Sequence, residues 1–479
     1  MSDKLRPDPK KAYPYQAQYG ALHAMPQTAM ARDQIIGQAD YMSMREDHVW
    51  QDGQCSGTIY AGDEEHYEFL NRVYSRFSHV NALQRDMCPS QTRFEAEIIA
   101  MTADMLNGQA VARDTPGQEV CGVVGNGGTE SIISALLAYR EHARETRGIT
   151  APEIVIPITA HAAFDKGAHY FGIKVIHAPM DPETTLVDVD FMAGAINANT
   201  IALVGSAGNY PYGTIDPMAE LSDLALKHGI GLHVDGCLGG FILPWGERLG
   251  YDIPIFDFRL PGVTSISADT HKYGYGLKGT SVVLYRNKEL RAGQFFSHPL
   301  WPGGMYSSPG IGGSRSGGLL AAAWAAMVSL GTEGYMARAK LIFETAYAMQ
   351  DVVKALPELR LMGAPSFCFS FTSDDFDIYH VNDHMKGLGW RFNGQQYPSA
   401  LHMCVTGPQT QPGVIQRFSD DLQAAVAYAR SPDDPIPKSG SFYGGEGASA
   451  TSEGVDVTGL RKQLIAALGR NLEQPDAVD

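Results

Sequence analysis

The residues best able to do chemistry in this chain of 479 residues stand where apolar runs give way to glycine-rich turns. The first is Lys272, within GVTSISADTHKYGYGLKG at positions 262–279. Positions 263–268 read as a short buried strand, and 269–279, glycine-rich and polar, as the loop that leaves its end. A lysine lifted out of water there is expected to lose proton affinity and, as a free amine, to form a Schiff base with an aldehyde. Asp235 closes the apolar run of IGLHVDGCLGG. An unpaired carboxylate is costly in such a place, so Asp235 is expected to meet a cationic partner. His161, in TAHAAFDKGAHY, falls where a strand ends and a helix begins, and Tyr210, in GNYPYG, ends another strand. The turn Gly125-Asn126-Gly127-Gly128-Thr129-Glu130 precedes a helical stretch. Its backbone N–H groups and the Thr129 hydroxyl would form a seat for a phosphate.

Taken singly, each of these is ordinary: a tight turn, a satisfied histidine, a packing aromatic, a solvated loop. The elements that carry them make them a set. Short β-branched runs at CGVVG, IVIPI, KVIHA, IALVG, IGLHVD, VTSIS and SVVLY are mostly separated by helical segments such as ESIISALLAYREHAR and MAELSDLALKHG. This pattern predicts an α/β fold with a mainly parallel seven-stranded sheet covered by helices on both faces. Ligands of such sheets bind beyond the carboxyl ends of the strands. The run SVVLY follows Lys272 too closely for a crossover helix, so it is expected to join antiparallel.

Upstream, positions 1–55 show no sustained period and read as an extended arm that needs another surface to pack on. A helix from Asp63 carries Phe69, Val73 and Phe77 as a core stripe, and a second opens at Ser90, carries Phe94, Ile98 and Met105, and closes at Asn107-Gly108. Beyond Ser316 come a long Ala-rich helix, strand-like LRLMG, FCFSFT and LHMCV, and two further helices, which predict a smaller C-terminal α+β domain. The expected organisation is an arm at 1–55, a large domain at 56–316 and a small domain at 317–479, with 431–458, rich in Pro, Gly and Ser, as a loop or linker.

Composition narrows the function. The charge balance is 37 basic against 53 acidic residues, net -16, which argues against a nucleic-acid or anionic-membrane surface and requires a local positive pocket for any anionic ligand. Six scattered cysteines without a CxxC pair suggest neither a metal site nor a disulfide framework, and fit a reducing cytoplasm. The N-terminus lacks the apolar core of a signal peptide, and the most apolar stretch, 317–330, is shorter than the ~20 residues a membrane helix requires.

One organic cofactor needs all of these groups together. Pyridoxal 5'-phosphate requires a phosphate seat, a flat group over its ring, a carboxylate against its ring nitrogen and a lysine for its aldehyde. The chain offers Gly127 to Thr129, His161, Asp235 and Lys272 in that order.

The stretches HAAFDKGAHY, HVDGCLGGF, SADTHKYGYGLKGTSVVLYR and GGMYSSPGIGGSRSGG resemble sphingosine-1-phosphate lyases, within the fold-type-I pyridoxal phosphate enzymes related to group II amino-acid decarboxylases. The likeness runs from about Ser56 through Gly318 and more thinly beyond. The resemblance implies the fold-type-I transferase fold, with Lys272 bonded to the cofactor, His161 stacked on its ring and Asp235 at its nitrogen. It also implies that Gly127, Gly128, Thr129, Ser267 and His271 seat the cofactor phosphate. Tyr60, Lys278 and Ser314 are implied to bind the substrate phosphate, with Tyr210 and Tyr306 near the reacting bond. The implied reaction is retro-aldol cleavage of a phosphorylated long-chain base to a long-chain aldehyde and phosphoethanolamine, in a homodimer with shared active sites.

Two features depart from that pattern. Eukaryotic members carry a membrane anchor ahead of the catalytic region, and this chain looks like the soluble bacterial form. Gln84, in Asn81-Ala82-Leu83-Gln84, stands where a phosphate-facing histidine is expected; it can donate a hydrogen bond but carries no charge. The general base stays open among Lys272, a tyrosine and the substrate phosphate. The alternative activity is amino-acid decarboxylation, which would want a carboxylate-binding group in place of Tyr60, Lys278 and Ser314. A catalytically silent binding protein is disfavoured by the joint presence of Lys272 and Asp235.

Overall fold

The computed structural model describes residues 15–111, 117–441 and 457–470, so residues 442–456 of the expected 431–458 loop lie outside the described residues. The N-terminal segment is not extended throughout: it forms a 15-residue helix, α1 (Arg32–Glu46), none of whose residues is buried. With none of its residues buried, its sequence has no apolar period to read.

The next helix, α2 (Glu64–Phe77), is capped by the Asp63 carboxylate, which accepts the His66 N–H at 3.1 Å. Its buried positions are His66 and Leu70, whereas Phe69 is 37% exposed. Val73 and Phe77 of the expected stripe pack against the core, but Phe69 does not; Leu70 is buried instead, against Ala322, Ala325 and Ala326. Helix α3 (Ser90–Met105) buries Phe94, Ile98 and Met105, and Asn107 beyond it takes a left-handed conformation that stops the helix.

Strands and helices then alternate: β1 (Cys121–Gly125), α4 (Gly128–Arg147), β2 (Glu153–Pro157), α5 (Ala163–Phe171), β3 (Lys174–Ala178), α6 (Val189–Ala195), β4 (Thr200–Ser206), α7 (Met218–His228), β5 (Gly231–Gly236), α8 (Leu243–Arg248), β6 (Ser265–Ala268) and β7 (Ser281–Tyr285). They form one seven-stranded sheet of order β1-β7-β6-β5-β4-β2-β3. β7 is antiparallel to both neighbours, and the remaining pairs are parallel. The sheet separates two cores. Val123, Ile154, Ile156 and Val204 pack on one face, while Val124, Val155 and Leu203 pack on the other, as the two-residue period of a strand dictates. A strand covered on both faces reads as a continuous apolar run, which is why the inner strands are visible; β3, at the sheet edge, is exposed at Lys174 and His177 and shows only a short apolar run.

After α9 (Lys288–Ala292), a two-stranded ribbon of β8 (Phe296–His298) and β9 (Tyr306–Ser308) carries exposed Leu300, Trp301 and Met305. Helix α10 (Gly317–Lys354) is broken at Gly331 and leads to a four-stranded sheet of β10 (Arg360–Leu361), β11 (Cys368–Thr372), β12 (Asn393–Gln395) and β13 (Ala400–Cys404), in the order β10-β11-β13-β12. Helices α11 (Ile378–Gly387) and α12 (Val414–Ala429) complete this smaller unit, and α13 (Val457–Arg470) follows. Among the described residues no helix is long and apolar enough to cross a membrane.

A buried ion pair ties the start of the sheet to the loops around the site. The Glu95 carboxylate receives Arg315 at 2.8 and 3.0 Å, the Val124 N–H at 3.1 Å, and Arg85. Burial works against the Glu95 charge, but Arg315, Arg85 and the Val124 N–H outweigh it and hold its pKa below the usual value. Replacing Glu95 by Ala leaves Arg315 uncompensated and is expected to cost about 3–5 kcal/mol. Because the folded pKa is depressed, the pair's contribution is present above the unfolded value near ~4.3 and fades as pH falls through the folded one. Denaturant titrations at neutral and acidic pH check both: the mutant's deficit should shrink in acid.

Candidate active site

The Lys272 loop is a hairpin between β6 and β7, anchored in the sheet at both ends. Thr270 donates to the Thr280 hydroxyl at 2.7 Å, and the buried Tyr273 hydroxyl donates to Val405 O at 2.6 Å. Tyr335 donates to Gly274 O at 2.8 Å. Pinned in this way, Lys272 lines a cavity of 540 Å³ with Asn126, Gly127, Gly128, Thr129, His161, Cys237, Asp269 and His271. The cavity lies at the carboxyl ends of β1, β2, β5 and β6.

Each wall has a local cause. Gly127, at φ 146, caps α4 in a conformation that side chains rarely adopt, and a Cβ on Gly128 would stand 2.6 Å from the Asp269 carboxylate. The glycines thus leave the first N–H groups of α4 open toward an anion, and His271 is the nearest neighbour of Gly127. His271 is oriented by Thr280 O at its Nδ1, and burial pushes its pKa down.

His161 stands four residues beyond the end of β2, in the turn into α5. Its Nδ1 accepts the Ala163 N–H at 3.1 Å. Burial lowers its pKa despite the opposing charge of Asp235, so the ring is neutral at pH 7.

Asp235 is only 7% exposed and accepts the Cys237 N–H at 3.0 Å and the Ser267 hydroxyl at 3.3 Å through Oδ1. Ser267 hydrogen-bonds within the group of Asp235, Cys237 and His233. The β5–β6 register explains this, since Ser267 is paired directly with Asp235.

The protonation of Lys272 reverses the sequence expectation. Burial alone would drain its proton affinity, but the Asp269 carboxylate lies 3.0 Å from Nζ and raises the pKa well above that of an ordinary lysine. Asp269, 1% exposed, was not singled out from sequence. The argument that flagged Asp235, a carboxylate at the end of a buried strand, applies to it equally.

The residues expected at the substrate fall into two groups. Lys278 lies 4.5 Å over the Tyr60 ring and 3.3 Å from His271 O. Desolvation, then the charge of Lys272, pull its pKa to about 8, although the side chain keeps an open edge to solvent. Asn81 donates to the Ser314 hydroxyl at 2.9 Å, and Gln84 is exposed on the same loop as Asn81. Tyr306 is on β9, with its hydroxyl 3.4 Å from where a Cβ on Gly313 would sit. Among the described residues, none of Gln84, Ser314 and Tyr306 hydrogen-bonds to Tyr60 or Lys278.

Tyr210 is four residues past β4, with its ring 4.5 Å from that of His402 on β13. The carbonyl of Pro211 accepts hydrogen bonds from Ser370 and Gln395 of the small sheet. The opposite end of this loop is held by Asp216, whose Oδ2 accepts the Ser206 N–H at 2.7 Å.

Comparison with known proteins agrees with this geometry. Residues 14–371 match the family described as the pyridoxal-dependent decarboxylase conserved domain. The chain is therefore a pyridoxal phosphate-dependent enzyme of that fold. A sphingosine-1-phosphate lyase of rice is 46% identical over 408 residues, covering 84% of this chain and 74% of the relative. One from Dictyostelium discoideum is 42% identical over 427 residues, covering 88% and 78%. The solved structure of a Burkholderia pseudomallei sphingosine-1-phosphate lyase is 61% identical, with a TM-score of 0.86, covering 87% of this chain and 95% of that one. The chain belongs to the sphingosine-1-phosphate lyase family. A Lactobacillus brevis glutamate decarboxylase, 20% identical with a TM-score of 0.72, shares the fold.

Proposed function

We propose that this protein cleaves sphingosine 1-phosphate to a long-chain aldehyde and phosphoethanolamine. The observation that carries the reading is the convergence of Lys272, His161 and the amino end of α4 on one cavity, with the charge of buried Asp235 acting on His161, in a chain whose relatives are sphingosine-1-phosphate lyases. The residues fit pyridoxal phosphate: the glycine cradle at 127–128 and His271 suit its phosphate, and buried Asp235 suits a protonated ring nitrogen. When bound, the cofactor supplies an electron sink for the pair released at Cα.

This chain's own groups do the rest. Lys272 would hold the cofactor through its amine and give way to the substrate amine. Asp235 would keep a proton at the ring nitrogen, which would deepen the sink. Neutral His161 would lie against the ring without adding charge. Lys278, over the face of Tyr60, meets the substrate phosphate, while Tyr210 lies near the bond that breaks.

A second copy of the chain completes the site in this reading. Exposed Leu300, Trp301 and Met305 on the β8–β9 ribbon and the unburied helix α1 offer apolar surface for it; Tyr306 is on that ribbon, and Ser314 is bonded to Asn81, on whose loop Gln84 is exposed. A cytoplasmic setting belongs to the same reading, supported by six unpaired cysteines, of which Cys368 and Cys404 face each other across β11 and β13.

The test is incubation with sphingosine 1-phosphate, then with a panel of amino acids. Release of aldehyde from the first is expected; release of carbon dioxide from the second would install the decarboxylase instead. In the same assay, Lys278→Ala should raise KM about 10- to 150-fold, the worth of a charged hydrogen bond of about 1.5–3 kcal/mol. Gln84→Ala should have a much smaller effect, and Gln84→His should leave KM unchanged or lower it. Because Lys278 loses its proton near pH 8, KM should climb as pH rises through that value. A flat KM across pH 7 to 9 would remove Lys278 from the phosphate site.

A further inference from the structure

Strands β5 and β6, in the middle of a largely apolar sheet, carry polar side chains at alternate positions. His233 is paired with Ser265 and Asp235 with Ser267, so all four share one face. Such groups are costly to bury unless each is hydrogen-bonded, and these are bonded in a line. Tyr139 of α4, whose ring fills the space where a Cβ on Gly231 would come within 2.2 Å of it, meets the hydroxyls of Thr264 at 2.7 Å and Ser265 at 2.6 Å. Ser265 meets His233 Nδ1 at 2.7 Å, His233 Nε2 meets Ser267 at 3.2 Å, and Ser267 donates to Asp235 Oδ1 at 3.3 Å. Phe164 of α5 packs edge-on to the His233 ring, with centroids 5.6 Å apart.

The count of protons gives the line a direction. Ser267 has one proton and two lone pairs for three neighbours: Asp235, His233 and the Cys237 thiol, which donates to it at 3.2 Å. A carboxylate only accepts, so the Ser267 proton goes to Asp235 and His233 must donate from Nε2. Burial pulls the His233 pKa to about 4, so the ring is neutral and its bare Nδ1 accepts from Ser265. Ser265 accepts in turn from Tyr139, and Tyr139 from Thr264. The reverse order is also complete, but it ends on the Leu232 carbonyl, 3.1 Å from Thr264 Oγ1, and takes the Ser267 proton away from Asp235. The two orders differ in their last acceptor, and a charged acceptor makes a hydrogen bond roughly twice as strong as a neutral one.

We propose that Ser267 and His233 are positioning residues for Asp235: His233, with its proton on Nε2, directs the Ser267 hydroxyl onto Oδ1 and so sets Oδ2 against the ring nitrogen of the cofactor. The Cys237 N–H, at 3.0 Å, also uses Oδ1, so Oδ2 is the oxygen that can serve the ring. The proposal rests on Asp235 as the partner of that nitrogen.

Full-length protein without cofactor, carrying isotope-labelled histidine, reports the tautomer of His233 by nitrogen NMR, its signals assigned by their loss in His233→Gln. The Nε2–H form is expected to exceed the Nδ1–H form by about tenfold, the worth of a charged over a neutral acceptor. A predominant Nδ1–H form overturns the proposal. Asp235→Leu replaces the carboxylate with an apolar group of similar shape, so the line should reverse and His233 become Nδ1–H; an unchanged tautomer overturns the proposal equally. The second measurement compares affinity for pyridoxal 5'-phosphate with affinity for its analogue bearing carbon in place of the ring nitrogen, and stands whether or not Asp235→Leu folds. Wild type should prefer the nitrogen ring, and Ser267→Ala should narrow that preference about tenfold. A merely structural loss would weaken both ligands alike, so an unchanged preference overturns the proposal. If Asp235→Leu keeps the full preference, Asp235 is not the partner of the ring nitrogen, a failure of that reading distinct from the tautomer result.

Discussion

Lys272→Ala should be nearly colourless at the wavelength of the lysine-bound cofactor and should lose roughly a thousand-fold or more of its turnover, the scale of deleting the nucleophile from a catalytic unit. Structure adds a reason why a neighbour will not substitute. Lys278, the nearest other amine, lies over the Tyr60 ring with its nitrogen toward His271 O, not toward the glycine cradle. Removal of Lys272 also strands the Asp269 carboxylate, so the mutant should be less stable than wild type at neutral pH. Burial without its partner raises the Asp269 pKa, and the deficit should narrow as acid protonates it. An unaltered absorbance band with normal turnover in Lys272→Ala would dismiss the assignment outright.

The second large effect belongs to Asp235. Asp235→Ala should still take up cofactor, because Lys272 and the 127–129 seat are untouched, yet kcat should fall roughly 100-fold or more, the size of losing one preorganised electrostatic partner. The Cys237 N–H and Ser267 hydroxyl that it accepts would lose their acceptor, so some loss of stability is expected as well. Asp235→Asn separates the two roles: it should restore most of the stability and little of the turnover. Full activity in Asp235→Ala would make the carboxylate a structural cap of β5.

These contrasts show what was legible in the sequence. The strands buried on both faces were, because such burial writes an unbroken apolar run, and edge strand β3 showed through a shorter one; the direction of β7 followed from a loop too short for a helix. Lys272, Asp235, His161 and Gly127 to Thr129 could be picked out because strand ends concentrate chemistry in such sheets. Strands β8, β9 and β12 were not, since FSH, YSS and NGQ are too short to show a period. Nor was the charge of Lys272. Burial was visible from the strand before it, and Asp269 at that strand's end could have been flagged as Asp235 was, but its pairing with Nζ depends on the turn, and no period records a turn. Phe69 failed for a related reason: which side of α2 is buried depends on the alanines some 250 residues away that Leu70 meets, about which helical spacing says nothing.

The anchoring of the Tyr210 loop bears on how this protein can change over generations. Two donors of the small sheet, Ser370 and Gln395, converge on one backbone carbonyl, that of Pro211, and a backbone atom cannot be altered by substitution. Selection on this end of the Tyr210 loop can therefore act through Ser370, Gln395 and the ring of His402 beneath it, while Asp216 holds the other end. Replacements at these three positions should be strongly epistatic, each tolerated or harmful according to the other two. Homologues that have drifted in β11, β12 or β13 should have drifted in concert, so that a small unit grafted from one relative onto the large sheet of another carries over its own setting of Tyr210.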